Sequence, residues 1–252
     1  MIEAAFWGLI QGLTEFLPIS SSGHLVLVPA LLGREGPDLA TSAVLHLGTL
    51  IAVLAFFRRD VKDMVQLNAR GRGLLRLLVI GTIPAAAIGL AAKGPLERLN
   101  EDPSAVAIAM VVAGCVMIAT RFIGQGRRGI ETVTDRDAVV IGAAQALALI
   151  PGITRSGMTI TGGIVMDLRS GEAARFSFLL GIPAIAGAGL LEGAELMQST
   201  QGIPAKTWVG VAVAAVAGYM AIALLLRLIR RIGLVPFGGY CVGFGVLAFL
   251  VV

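Results

Sequence analysis

The residues able to do chemistry gather at two places in the chain. Gln11 and Glu15 stand one helical turn apart and share a face. Glu15 lies inside an apolar stretch, where an ionisable group is costly and by default functional. The run Ser20-Ser21-Ser22-Gly23-His24 follows, with three hydroxyls, backbone donors and an imidazole. A helix restarting near Gly23 would point its unpaired N–H groups into this loop and favour an anion. Taken alone, a serine-rich turn is better explained as a helix cap. His24 changes that balance, because an imidazole can act as base, acid or nucleophile near neutral pH. His46 opens another apolar segment without polar company, so a structural role is expected of it. The second place is the run from Pro151-Gly152 to Thr159. Its Arg155 has no acid within ten residues on either side. A guanidinium is always charged and its fork matches phosphate oxygens. Arg155 therefore needs Glu15 or an anionic ligand. A phosphate would be met as well by the loop amides around Gly157 and by Thr154, Ser156 and Thr159.

Both places are embedded in apolar sequence. The chain has 252 residues, 56% hydrophobic and 14% charged, with a mean hydropathy of +0.87. Soluble domains carry about 25% charged residues. Eight apolar segments run at about 2–29, 40–57, 74–92, 104–122, 138–166, 174–191, 208–226 and 236–252. Several have the length a helix needs to cross a bilayer. A soluble enzyme, a disordered chain and a disulfide scaffold are excluded, and a single membrane domain over 1–252 is expected. The net charge of +4 does not indicate nucleic acid, because the basic residues sit between apolar segments. Cys115 and Cys241 lie inside apolar runs and are expected to be small buried hydrophobes. With Glu3 and no basic leader, a cleaved signal peptide is not expected.

The first and fifth segments are broken by Pro18 and by Pro151-Gly152, so each should read helix, loop, helix. They also match each other. Shifted by 134 residues, Gly8, Gln11, Leu13, Ile19, Ser22 and Gly23 fall on Gly142, Gln145, Leu147, Ile153, Ser156 and Gly157, and Ser20 falls on Thr154. An internal duplication follows, with one repeat at about 1–125 and the other at about 135–252. If the broken segments are re-entrant hairpins, three crossings per repeat turn the second repeat upside down. Of the 20 Lys and Arg, fifteen then fall on one side and four on the other, Arg155 being the remainder. That bias assigns the first side to the cytoplasm. The expected fold is an all-α polytopic membrane protein: an inverted-topology repeat of six transmembrane helices plus two re-entrant helical hairpins. Both termini and the 93–103 and 192–207 loops should lie outside, and the 58–76 loop inside. Broken helices at the midplane of inverted repeats are where membrane proteins place binding sites.

Gln11-Gly-Leu-Thr-Glu-Phe-Leu-Pro-Ile-Ser-Ser-Ser-Gly-His-Leu25 and Pro151-Gly-Ile-Thr-Arg-Ser-Gly-Met-Thr159 resemble the two signature motifs of bacterial undecaprenyl-diphosphate phosphatases of the bacitracin-resistance type. Length, segment pattern and motif order agree over nearly the whole chain. The resemblance implies an inner-membrane enzyme that hydrolyses a C55 polyprenyl diphosphate to the monophosphate and phosphate, recycling the lipid carrier of cell-wall synthesis. It also implies a divalent cation, Mg2+ or Ca2+. By position, the family's acidic motif falls on Gln11 and Glu15, its serine–histidine loop on Ser20, Ser21, Ser22 and His24, and its phosphate-binding arginine motif on Thr154, Arg155, Ser156 and Thr159. Many members carry Glu at the place of Gln11, so this chain keeps one carboxylate of a two-carboxylate metal site. Thr154 stands where Ser is common and keeps the hydroxyl.

The favoured mechanism has Ser21 as nucleophile on the terminal phosphorus, with Glu15 and His24 handling its proton. Arg155, the loop amides of Gly23 and Gly157 and the cation, held by Glu15 and Gln11, would stabilise the equatorial oxygens. Direct attack by His24, or by water with His24 as base, remains open. So does a rival of another class, a carrier that flips a lipid phosphate through the same midplane site. The expected partners are the polyprenyl diphosphate and the bilayer, not nucleic acid, with oligomeric state open and a homodimer one arrangement. The site is expected to face the outside.

Overall fold

Proline and glycine set where the apolar segments break into helices. The computed structural model describes residues 1–37, 39–124, 126–198, 205 and 207–252. Helix α1 (Ile2–Phe16) stops at Leu17, where the backbone turns extended ahead of Pro18, and α2 resumes at Ser21–Leu32. Ser20 caps α2 by accepting from the Gly23 amide, with φ at +70° in the left-handed region that non-glycine residues seldom enter. Further on come α3 (Leu39–Phe56), α4 (Arg58–Val65), α5 (Ala69–Ala91), α6 (Lys93–Asn100) and α7 (Pro103–Ala119). In the second half α8 (Asp135–Leu147) stops before Pro151-Gly152, and α9 (Arg155–Val165) is capped by Thr154 accepting from the Gly157 amide. The chain ends with α10 (Ser170–Gln198), α11 (Thr207–Ile232) and α12 (Val235–Val251). Both broken segments are therefore helix, loop, helix, and their caps Ser20 and Thr154 stand at matching positions.

The described residues form helices, turns and one isolated bridge between Arg128 and Leu168, and no strands. Among them, Ala69–Ala91, Pro103–Phe122 and Thr207–Ile232 are long and apolar enough to cross a membrane. Thr41–Phe56 and Arg58–Val65 qualify only together, bent by 84°. Two connections expected as loops are partly helical: the 58–76 stretch holds α4 and the start of α5, and the 93–103 stretch holds α6. Of the 192–207 loop, the part to Gln198 continues α10, while 199–204 and 206 lie outside the described residues. Apolar side chains such as Leu90, Val216 and Leu250 point outward, as they should where the solvent is lipid. Cys115 is exposed on such a face, against the expectation of burial, whereas Cys241 is buried. An apolar run does not tell which stripe of its helix looks inward.

Glycine makes the helix crossings close. In α1 a β-carbon on Gly8 would lie 2.2 Å from the Gly210 carbonyl oxygen of α11, and in α8 one on Gly142 would lie 2.3 Å from that of Gly81 in α5. Gly8 and Gly142 are the pair related by the 134-residue shift. Helices α7 and α12 meet at Gly114 and Gly238, each of which would place a β-carbon within 2.7 Å of the other's carbonyl oxygen. Lipid offers no hydrophobic drive for one helix to join another, so close backbone packing of this kind has to hold them. Helices α3 and α10 pack together between the two halves, and the largest buried side chains, among them Phe16, Phe176 and Phe178, fill the core beside them.

The base of α8 is clamped. Thr134 and Asp137 form a reciprocal capping box, and Arg128 binds both Asp137 oxygens, at 3.1 and 2.6 Å. Burial pushes the Asp137 carboxyl up, but the bonds from Arg128 and Thr134, with the Arg128 charge, outweigh it and hold the carboxyl below its usual range.

Two outcomes follow. Gly142→Ala should lower thermal stability in detergent by about 1–3 kcal/mol through overpacking. Gly243→Ala, whose new methyl would meet nothing within 4 Å, should be neutral or slightly stabilising. Asp137→Asn should cost about 1–3 kcal/mol at neutral pH by removing the charge-assisted bonds from Arg128. Because the folded carboxyl is depressed, its contribution is complete above the unfolded value of about 4 and fades as pH falls through the folded value. The gap between native and variant melting temperatures should therefore narrow on acidification. A gap constant down to the lowest pH would refute the clamp.

Candidate active site

The two hairpin tips meet, and their meeting point is Glu15. Its side chain is 7% exposed, near the end of α1. Ser21, the first residue of α2, donates its hydroxyl proton to Glu15 Oε2 at 2.8 Å. Arg155, the first residue of α9, donates from Nη2 to Glu15 Oε1 at 2.6 Å. Ser21 and Arg155 are themselves 134 residues apart, so matching helix starts from the two halves converge on one carboxylate. Both helix N-termini add partial positive charge there. Gln11 donates from Nε2 to Glu15 Oε2 at 3.0 Å, as the one-turn spacing predicts.

Arg155 is only partly spent by this pairing. Its Nη1 is buried, and neither it nor the buried Gln11 Oε1 has a hydrogen-bond partner among the described residues. Room for the guanidinium comes from Gly181 of α10, where a β-carbon would lie 2.1 Å from Nη1. A glycine within an apolar helix is a weak signal in a sequence. His46, expected to be structural, also lies at the site. The structure places His46 Nε2 3.9 Å from Glu15 Oε2, while its Nδ1 donates to the Ser42 carbonyl at 2.9 Å. Its polar company comes from α1, not from its own segment, which is why its neighbours in sequence showed nothing.

His24 is placed differently from expectation. Its Nδ1 donates to the Ser20 carbonyl at 2.7 Å, so in the neutral ring Nε2 accepts from the Tyr240 hydroxyl, also at 2.7 Å. The ring stacks on Phe244 with centroids 4.8 Å apart. Ser21 is joined to Glu15 and not to His24, which instead braces the Ser20 turn against α12.

The expected phosphate-binding set is likewise redistributed. Ser20 and Thr154 cap their helices through the Gly23 and Gly157 amides, so all four groups are occupied in capping. Ser22 accepts from the Gly152 amide at 3.3 Å, and Ser156 donates to the Leu17 carbonyl at 3.3 Å. These two matching serines each reach the backbone of the opposite tip and stitch the hairpins together. Thr159 is fully buried, donating to the Arg155 carbonyl at 2.8 Å and meeting the Ser177 hydroxyl at 2.5 Å. Ser21, Ser22, Arg155 and His46 are part-exposed, whereas Glu15, Ser20, His24, Thr154 and Ser156 are buried.

For a metal ion, no cluster of three His, Cys, Asp or Glu side chains exists among the described residues. An ion such as Mg2+ does not require one, since it keeps waters and takes one or two protein oxygens plus substrate phosphates. The Glu15 carboxylate and the unpartnered Gln11 Oε1 fit an ion shared with a phosphorylated ligand, not a preformed protein cage.

Comparison with known proteins agrees with the two motifs. The profile of the family described as bacitracin resistance protein BacA matches residues 4–247. An undecaprenyl-diphosphatase of Trichlorobacter lovleyi is 41% identical over 264 residues, covering 99% of this chain and 97% of that protein. Those of Geobacter sulfurreducens and Thermomicrobium roseum are also 41% identical, each over 99% of this chain and 98% and 97% of their own lengths.

Arg155→Ala should strand the Glu15 carboxylate and destabilise the protein by about 3 kcal/mol. Adding Glu15→Gln should restore most of that loss. Thermal unfolding of the two single variants and the double variant measures the coupling, and strictly additive costs would show that the pair is not one unit.

Proposed function

The chain belongs to the bacitracin resistance protein BacA family, and from that membership we propose that it is an undecaprenyl-diphosphatase. It is a membrane hydrolase that cleaves the phosphoric anhydride of undecaprenyl diphosphate, yielding undecaprenyl phosphate and inorganic phosphate for lipid-carrier recycling. The observation that carries this reading is the Ser21–Glu15–Arg155 chain: a hydroxyl on a carboxylate, beside a guanidinium with a buried donor to spare.

The chemistry follows from these atoms. Arg155 Nη1 and the α2 and α9 N-termini hold the terminal phosphate and take up its developing charge. Ser21 Oγ bonds to the terminal phosphorus as the bond from that phosphorus to the bridging oxygen breaks, and the hydroxyl proton passes to Glu15 Oε2. Undecaprenyl phosphate leaves with the bridging oxygen. Water then attacks the phosphoserine, Glu15 returns its proton to the departing Ser21 oxygen, and inorganic phosphate is released. His24 is a positioning residue that keeps the Ser20 turn in place. A divalent cation, Mg2+ or Ca2+, would be held by Glu15, Gln11 Oε1 and the diphosphate, and when bound it supplies neutralisation of the substrate charge. Phosphoryl transfer depends chiefly on such positioning and charge balance.

In the membrane the chain is an inverted repeat of six spans, α3, α5, α7, α10, α11 and α12, with α1–α2 and α8–α9 as re-entrant hairpins. The matched glycine crossings, the matched caps and the one-sided basic residues support this arrangement. The first hairpin enters from outside, so the site opens to the periplasmic face of the inner membrane.

Purified protein should release inorganic phosphate from undecaprenyl diphosphate, and Ser21→Ala should lower the rate by about 10^3-fold or more. Gly181→Ala, which displaces Arg155, should cost about a hundredfold in kcat/KM. An active Ser21→Ala enzyme would move the nucleophile elsewhere. A carrier would move lipid without liberating phosphate, and the same assay separates the two. With the native cysteines replaced, an impermeant maleimide should label Asn100→Cys but not Asn68→Cys in intact cells. The reverse pattern would invert the topology.

A further inference from the structure

Away from the Glu15 site, a cavity of about 540 Å3 gathers Arg121, Arg169, Arg230 and Arg231 around a single carboxylate, Glu172. Among the described residues none of the four guanidiniums is in an ion pair. The contrast with the molecule's other basic hollow is informative. There Arg175 binds both oxygens of buried Asp60, at 2.7 and 2.9 Å, and Arg70 adds a third bond at 3.0 Å. Asp60 thus pairs two of the four arginines lining that hollow, leaving Arg58 and Arg59. In the larger cavity Glu172 pairs none of the four, which are all exposed, and their summed positive field favours an outside anion.

Position says what kind of anion. Helix α11 ends at Arg230 and Arg231, and the α7 span ends at Arg121, so two of the three long apolar helices finish at this cavity. It therefore sits at a membrane surface. Its wall also carries the first residues of α10, Ser170 and Gly171, at a helix N-terminus. Gly171 lets Arg230 lie against that turn, since a β-carbon there would come within 2.8 Å of the Arg230 Nε. The remaining wall is apolar, with Ile164, Ile229 and Val235. A charged end beside an apolar wall at the end of membrane-spanning helices is the pattern of a phospholipid site.

We propose that this cavity binds the phosphate headgroup of an anionic phospholipid from the leaflet opposite the Glu15 opening, with the acyl chains along the apolar wall. The bound phosphate supplies the counter-charge that the four arginines lack. The cavity shares no residue with the Ser21–Glu15–Arg155 chain, so its occupancy is separable from turnover.

Native mass spectrometry of the purified full chain with equal amounts of phosphatidylglycerol and phosphatidylcholine of the same acyl chains tests this. The wild-type protein should retain phosphatidylglycerol preferentially. Arg230→Ala/Arg231→Ala should weaken that preference about thirtyfold, taking about 1 kcal/mol per basic residue. Arg230→Lys/Arg231→Lys should keep most of it. Arg121→Gln, at the end of the α7 span, should weaken it on its own. Phosphate release from undecaprenyl diphosphate should stay near the wild-type rate in each variant, which verifies the fold. Equal retention of the two lipids by the wild type, or an unchanged preference in the alanine variant, would overturn the assignment. Displacement of the lipid by millimolar inorganic phosphate would also overturn it, in favour of a soluble anion.

Discussion

A carboxylate held between helices in apolar surroundings has to find its counter-charge inside the protein, because neither lipid nor bulk water supplies one there. Glu15 finds it in Arg155, 140 residues along the chain, at 2.6 Å. That bond joins the tips of two hairpins from opposite halves, so local geometry at one residue depends on the assembly of the whole bundle. The supporting contacts are arranged around it. Ser22 and Ser156 stitch one tip to the other, Gly181 leaves space for the guanidinium, and α7 passes both tips with Met110 against Gly23 and Met117 against Gly157.

The 134-residue match of the sequence carries into the helix caps and not into the chemistry. Matching positions supply matching caps, matching stitches and matching glycine crossings. Yet the residue matching Glu15 is Leu149, and the residue matching Ser21 is Arg155. A near-symmetric scaffold thus brings two helix N-termini to one place and equips them differently, one with a hydroxyl and the other with a fixed positive charge. The proposed phosphoryl transfer uses that asymmetry, with a nucleophile and a charge-holding group meeting the same phosphorus from different directions.

Gln11 leaves the site with a single carboxylate. As an amide it donates to Glu15 without adding a second negative charge beside the first. A second carboxylate at that distance would compete with Glu15 for Arg155 or call for a cation between them. His46 adds an imidazole whose Nε2 lies 3.9 Å from Glu15 Oε2. The site therefore sets one acid against a fixed guanidinium, with an imidazole beside it.

Much of this was legible in the sequence. Apolar segments wait on no partner to be apolar, and Pro18 and Pro151 end helices by removing backbone donors and by steric clash, which are local effects. The one-turn spacing of Gln11 and Glu15 likewise carried straight into a hydrogen bond. Side-chain partnership was not local, and tertiary packing decided it. Sequence could not say whether Arg155 faced Glu15 or a ligand, nor that His46 and not His24 lies beside the carboxylate. It could not tell which hydroxyl meets the carboxylate and which caps, because serine suits both tasks and only the position of its neighbour separates them. Nor could it tell that Cys115 looks outward, since an apolar run in a membrane bundle reads alike on the faces turned to lipid and to protein. Helix breaks are written in single residues, whereas a buried charge pair is written in two halves of the chain that meet only after the helices have packed.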